Sequence, residues 1–220
     1  MSEMHTIEQG ENLASIAQDF DFLDWHTIYD HPKNAEFKKR RPNPNVLLPG
    51  DQVFIPDKQL KQESCPTDQK HRFQVKSPKA WLKIMLKDAD EKPIKNQPYR
   101  LNLDGYRVIQ GTTDGKGLLQ KEIPVGTNNA SLMLDTMGIT FTLQIGHLDP
   151  IEEVDKKVIV TGIQARLNNL GFHCGEIDGV LGERTRAAVR RFQLDVMKRK
   201  KASGEPDAET QEAMVQQHGC

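Results

Sequence analysis

The sequence closes on His218-Gly219-Cys220, which sets a thiol two residues from an imidazole, the pair that a cysteine nucleophile and its base would use. A working nucleophile also needs a shaped pocket and an oxyanion site, and the sequence holds no segment beside this tail to build them. The seven histidines, His5, His26, His31, His71, His147, His173 and His218, contain no HExxH and no pair at zinc-binding spacing, so each reads as a surface or packing residue. Acids are plentiful, yet no two stand in a recognisable glycosidase frame, where two carboxyls work at a fixed separation. A phosphate-binding glycine loop and a dinucleotide fingerprint are absent as well. Cys65, Cys174 and Cys220 lack CxxC spacing and are too few for a disulfide framework. They read mostly as thiols, with a Cys174–Cys220 bridge left open for an oxidising compartment. The expectation is a chain with no catalytic residues, no metal and no cofactor.

Charge limits what such a chain can hold. Thirty Lys and Arg against 31 Asp and Glu leave a formal charge of -1, so no global field draws nucleic acid or an anionic membrane. No stretch approaches the ~20 apolar residues of a membrane span. The opening Met1-Ser2-Glu3-Met4-His5-Thr6 has no basic region followed by an apolar run, so no secretory signal is read there. The basic residues are uneven: eight fall between Arg184 and Lys201 against one acid, Asp195.

The elements that would position a site fall into three units. Residues 1–56 read as strand, helix, helix, strand. Asn12 caps a helix carrying Leu13, Ile16, Ala17 and Phe20, and Asp24 caps a second with Trp25, Ile28 and Tyr29 until Pro32 stops it. Residues 34–41 add a short helical turn, Lys38-Lys39-Arg40-Arg41 reads as a solvated edge, and Val53-Phe54-Ile55 supplies the closing strand. Residues 57–72 hold almost nothing that enters a core and read as a linker. In 73–148 the period changes to two: Leu82, Ile84 and Leu86, then Tyr99, Leu101 and Leu103, then Ile139, Phe141, Leu143 and Ile145 alternate with other residues as half-buried strands do. Asp104-Gly105 and Asp114-Gly115-Lys116-Gly117 supply turns, and the sum is an antiparallel β-sandwich. A second linker spans 149–157. Residues 158–220 are helical, with Ile163, Leu167 and Leu170 on one stripe, Ala187, Ala188, Val189 and Phe192 on another, and a third helix from about Asp207 through Met214. No internal repeat is evident. The fold class is α+β multidomain: a βααβ module, an antiparallel β-sandwich and a three-helix module.

The run His5-Thr6-Ile7-Glu8-Gln9-Gly10-Glu11-Asn12-Leu13-Ala14-Ser15-Ile16-Ala17, closed by Leu48-Pro49-Gly50-Asp51-Gln52-Val53-Phe54-Ile55-Pro56, resembles the LysM family. That resemblance implies a shallow glycan groove between two loops, Gly10, Glu11, Asn12 and Leu13 facing Pro44, Asn45, Val46 and Leu47. Backbone beside a helix start supplies the donors an N-acetyl group needs. The connection from His31 to Pro42 is longer than the LysM pattern, long enough to cover or reshape that groove. Asn12 also reads simply as a cap, and Trp25 as core. Lys92-Pro93-Ile94, Asn96, Tyr99-Arg100-Leu101 and Thr113-Asp114-Gly115-Lys116-Gly117 resemble transthyretin-like or carboxypeptidase-regulatory-like β-domains, which serve as spacers or docking platforms.

Ile163-Gln164, Leu167, Leu170-Gly171-Phe172, Gly175, Asp178-Gly179, Gly182, Thr185, Ala188-Val189 and Phe192-Gln193 resemble the three-helix peptidoglycan-binding family. The resemblance implies glycan contact at Asp178 and Gly179, although Asp178 equally reads as a loop brace bonding neighbouring amides. The basic run from Arg184 reads either as a solvated helix face or as an attraction for stem-peptide carboxylates of the wall. The tail is similar to the His-Gly-Cys of L,D-transpeptidases, whose catalytic domain this sequence does not hold.

These resemblances imply a non-catalytic protein that anchors or targets to the bacterial cell wall through two terminal modules, its partner being peptidoglycan glycan strands. A reading of another class is an adaptor of a type VI or related contractile secretion system, docking on a spike or effector protein through the β-domain. A transpeptidase-like enzyme stands third. On either of the first two readings the chain is synthesised in the cytoplasm without a signal peptide and reaches the periplasm or cell exterior by a contractile route, unless the sequence lacks its leader.

Overall fold

Asn12 starts the first helix: its Oδ1 accepts the amides of Ala14 and Ser15 at 3.0 Å each, while Ser15 Oγ accepts the Asn12 amide at 2.9 Å. This reciprocal cap fixes α1 (Leu13–Asp19) so that Leu13, Ile16 and Ala17 turn inward. The computed structural model describes residues 2–58, 64–72, 78–88, 90, 92–103, 108–151 and 158–219. Around α1, β1 (Glu3–Thr6) pairs antiparallel with β2 (Gln52–Ile55), and α2 (His26–Tyr29), a 3-10 turn at Pro32–Asn34 and α3 (Ala35–Arg40) lie between them in sequence. Trp25 packs partly buried against the resulting core.

The long connection is a working part of this core. Asn34, 2% exposed, donates to the carbonyls of Ile28 at 2.8 Å and Phe54 at 2.7 Å and accepts the Phe54 amide at 2.8 Å, which satisfies backbone of β2 as a strand would. Arg41 corrects the reading of the basic run as a solvated edge. It is 1% exposed, with Nε 2.6 Å from Asp51 Oδ2 and Nη2 3.2 Å from Oδ1, and Tyr29 donates its hydroxyl to the Arg41 carbonyl at 2.7 Å. Only Lys38, Lys39 and Arg40 face solvent. The buried pair is tolerated because its bidentate geometry matches the guanidinium fork to both carboxylate oxygens.

Alternation builds the middle unit. β4 (Pro98–Leu103) buries every second residue, Tyr99, Leu101 and Leu103, and β7 (Asn129–Leu134) does the same with Ala130, Leu132 and Leu134. With β5 (Val108–Thr112) and β8 (Ile139–Gln144) they form a four-stranded antiparallel sheet in the order β5-β4-β7-β8. A two-stranded ribbon of β3 (Lys79–Met85) and β6 (Leu118–Pro124) shares its core through Leu82, Ile84, Leu119 and Ile123. Asp114 closes one turn by accepting the Lys116 and Leu118 amides at 2.7 and 2.9 Å; Asp104-Gly105 lies outside the described residues. Ile139 and Phe141, expected to be half-buried, are each 38% exposed, because β8 is an outer strand and a two-stranded ribbon cannot cover a four-stranded face.

The last unit joins α4 (Val160–Asn169), α5 (Glu183–Asp195) and α6 (Ala208–His218) around Ile163, Leu167, Val189, Phe192 and Met214. Asp149 to Ile151, placed by sequence in a linker, are packed here: Ile151 is 6% exposed within this core, and its carbonyl accepts the Ile159 amide at 2.7 Å. Gly162 is required at the crossing, since a Cβ there would lie 2.0 Å from the Pro150 carbonyl oxygen. Buried Arg166 donates to the carbonyls of Asp149 and Gly162 at 2.8 and 2.9 Å, and Thr161 donates its hydroxyl to Asp149 Oδ2 at 2.6 Å.

Candidate functional site

Two buried glutamines organise the three helices, and each holds a loop. Gln164 on α4, 1% exposed, donates to Asp178 Oδ1 at 2.7 Å and to the Val180 carbonyl and Thr185 hydroxyl at 3.2 Å each, while its own oxygen accepts the Gly179 amide at 2.9 Å. Gln193 on α5, fully buried, donates to the Glu205 carbonyl at 2.8 Å and the Thr210 hydroxyl at 3.0 Å and accepts the Gly204 amide at 3.0 Å. The same device therefore occurs twice: an apolar-Gln pair on a helix, then a glycine, then six residues later a threonine in the first turn of the next helix. The sequence carries this repeat, contrary to the expectation of none. It is masked because the first loop is four residues longer, with glutamine and glycine 15 apart in one case and 11 in the other.

The longer loop is the one that offers something to a ligand. Ile177 and Val180 stand 51% and 58% exposed on either side of Asp178-Gly179, on a backbone pinned from below. Asp178 braces the loop: besides Gln164 it accepts the Val180 amide at 2.8 Å, and these two bonds hold its carboxyl below the usual carboxylate range. Asn168, one turn along α4 from Gln164, adds a second anchor by donating to the Gly175 carbonyl at 2.8 Å and accepting the Cys174 amide at 3.0 Å. Cys174 is a buried thiol whose pKa burial pushes up, and Cys220 lies outside the described residues. Sequence reading named Asp178 and Gly179 but missed Ile177 and Val180, since isolated apolar residues in a loop carry no periodic signal.

The candidate residues at the other end are placed differently. Leu13 and Leu47 lie in one hydrophobic cluster, 1% and 5% exposed, and Val46 is 7% exposed. Asn12 spends its carboxamide oxygen on the cap. Glu11 accepts the Glu8 amide at 2.7 Å and contacts His5 Nε2 at 2.9 Å. Gly10 is buried against the middle unit, where a Cβ would sit 3.0 Å from His147 Nε2; Gly146 approaches the Gly10 carbonyl so closely that its own Cβ would lie 2.6 Å from that oxygen. Gln9 adds a bond to the His147 carbonyl at 3.3 Å. Of the eight residues, Asn45 is exposed and Glu11, Asn12 and Pro44 are partly so.

His218, near the end of α6, has its pKa pushed down to about 4 by burial and by the charge of Arg166, and its Nε2 lies 3.1 Å from Asn169 Nδ2. Among the described residues no group of three His, Cys, Asp or Glu is placed to hold a metal ion, and no helix is long and apolar enough to cross a membrane.

Residues 158–214 match the family described as "Putative peptidoglycan binding domain". No curated protein and no solved structure matches the chain. The family match covers α4, α5 and most of α6, together with both glutamine-held loops.

Proposed function

We propose that the chain, whose C-terminal unit is a peptidoglycan-binding domain, is a non-catalytic wall-binding protein that makes its main contact through the loop from Gly175 to Gly182. The observation that carries this reading is the family match falling on the unit whose longest loop is rigidly held from beneath and apolar on top. An N-acetylated sugar fits that chemistry: its methyl group rests on Ile177 and Val180, and its amide bonds to loop backbone. The N-terminal unit, LysM-like in its motifs, is a secondary contact, because most of its groove residues are already committed to caps, core and the His147 junction. Linking two weak sites on one chain raises retention when both reach the same glycan mesh. The test is co-sedimentation of the full chain with purified sacculi: retention at low salt that is weakened about tenfold in the Ile177→Ser/Val180→Ser variant supports the proposal, and no retention of the unaltered chain removes it.

A second reading rests on the middle unit. Ile139 and Phe141, with Met137 in the turn before them, leave apolar surface along an outer strand, where a partner's strand can add to the sheet. That surface suits an adaptor that docks a spike or effector of a contractile secretion system through its transthyretin-like centre. Capture of such a protein by the unaltered chain, lost in Phe141→Lys, supports it; equal capture by both argues against it.

A further inference from the structure

The arginines of α5 divide into two sets. Arg186 and Arg190, four apart, lie on one flank and are occupied by the shorter loop: Arg186 pairs with Glu205, and Arg190 Nη2 is 3.4 Å from the Ser203 carbonyl. Arg199 is likewise taken, by Asp207 at 2.8 Å and Glu209 at 2.5 Å. Arg184 and Arg191, seven apart and so in line on the other flank, are exposed and make no ion pair with any acid among the described residues, Asp195 one turn beyond Arg191 included. The Arg184 side chain runs beside Gly175, its Cδ 3.8 Å from where a Cβ on that glycine would be. The row therefore begins at the loop that carries Ile177 and Val180. Glu176, Asp178 and Glu183 gather at the same end, so the loop itself is net acidic and disfavours an anion, and cationic character grows along the helix toward Arg191 and Lys198.

A ligand matching this surface is neutral at one end and anionic along its length. Two arginines two helical turns apart are separated by about 10.5 Å along the axis. An extended peptide advances ~3.5 Å per residue, so the pair matches carboxylates about three residues apart. We infer that the C-terminal unit recognises peptide-bearing glycan rather than bare glycan, with the sugar over Ile177 and Val180 and the carboxylates of the acidic stem peptide on Arg184 and Arg191. This inference rests on the wall-binding function proposed above.

The experiment compares the full chain on intact sacculi and on glycan strands stripped of stem peptides by an amidase. Alongside the unaltered chain run Arg184→Gln/Arg191→Gln and an equal-charge control on the middle unit, Lys83→Gln/Lys116→Gln. The unaltered chain should hold intact sacculi about five- to tenfold more tightly, the size of effect that two exposed ion pairs produce. The arginine variant should bind both materials alike, at the level of stripped strands, and the lysine control should keep the full preference. Equal binding of the unaltered chain to both materials overturns the inference while leaving wall binding intact, and this arm needs no variant to fold. Loss of the preference in the lysine control also overturns it, since bulk charge then explains the effect. Binding to neither material removes the inference together with the function beneath it.

Discussion

The loop at Gly10–Leu13 and the loop at Gly175–Gly182 both precede a helix, yet the molecule uses them in opposite ways. In the first, the residues turn inward: the Leu13 side chain goes to the core, Asn12 Oδ1 to the cap, and the Gly10 backbone to the junction with His147. In the second, inward bonding is delegated to Gln164 and Asn168 on a neighbouring helix, which frees Ile177 and Val180 to stand in solvent. The difference teaches that a motif identifies the scaffold of a loop, whereas the origin of its supporting bonds decides what remains for a ligand.

The largest effect should come from separating the two ends. Arg41→Ala leaves the Asp51 carboxylate buried without its bidentate partner and should cost about 3 to 5 kcal/mol in the N-terminal unit, read by hydrogen exchange of α1 and β2. Sacculus retention should change by less than about twofold, within the spread expected of a secondary contact; a loss as large as that of the loop variant would make the two ends equal partners. Gln164→Ala is the counterpart: it takes the Gln164 partner from the Gly179 amide and the buried Thr185 hydroxyl and removes one of the two braces on Asp178, costing about 3 kcal/mol, and should abolish retention with unfolding of the C-terminal unit.

Mild acid should act first on the C-terminal end. The folded pKa of His218 lies below the ordinary value of 6.5, so the unfolded chain takes up the proton first as pH falls. Its contribution is full above about pH 6.5 and is lost on acidification toward about 4, amounting to up to about 3 kcal/mol. A denaturation series across that window should show the C-terminal unit weakening, and His218→Asn should flatten the slope. An unchanged slope would assign the acid sensitivity elsewhere. Smaller still, Ile177→Ser/Val180→Ser should weaken retention about tenfold, from lost apolar contact, with stability shifted by less than about 0.5 kcal/mol.

Much of this was legible in the sequence because it depends on local period and local capping. The Asn12 cap, the alternation of Tyr99, Leu101 and Leu103, and the Asp207 start of α6 each need only neighbouring residues. What escaped depends on contacts across the fold. Arg41 looked like one more member of a solvated basic run until Asp51 and Tyr29 came together around it. Ile151 looked like linker until α4 docked on it through Gly162. The twofold glutamine device was written in the residues but hidden by loops of unequal length, and a search for Gly followed six residues later by Thr would have exposed it.

The most direct test is a titration of isotope-labelled full chain with a purified muropeptide, following backbone amide signals. The largest shifts should come from Gly175 through Arg184 and at Arg191, with small ones at Gly10–Leu13 and Pro44–Leu47. Dominant shifts in those two N-terminal loops, with the C-terminal loop silent, would contradict it.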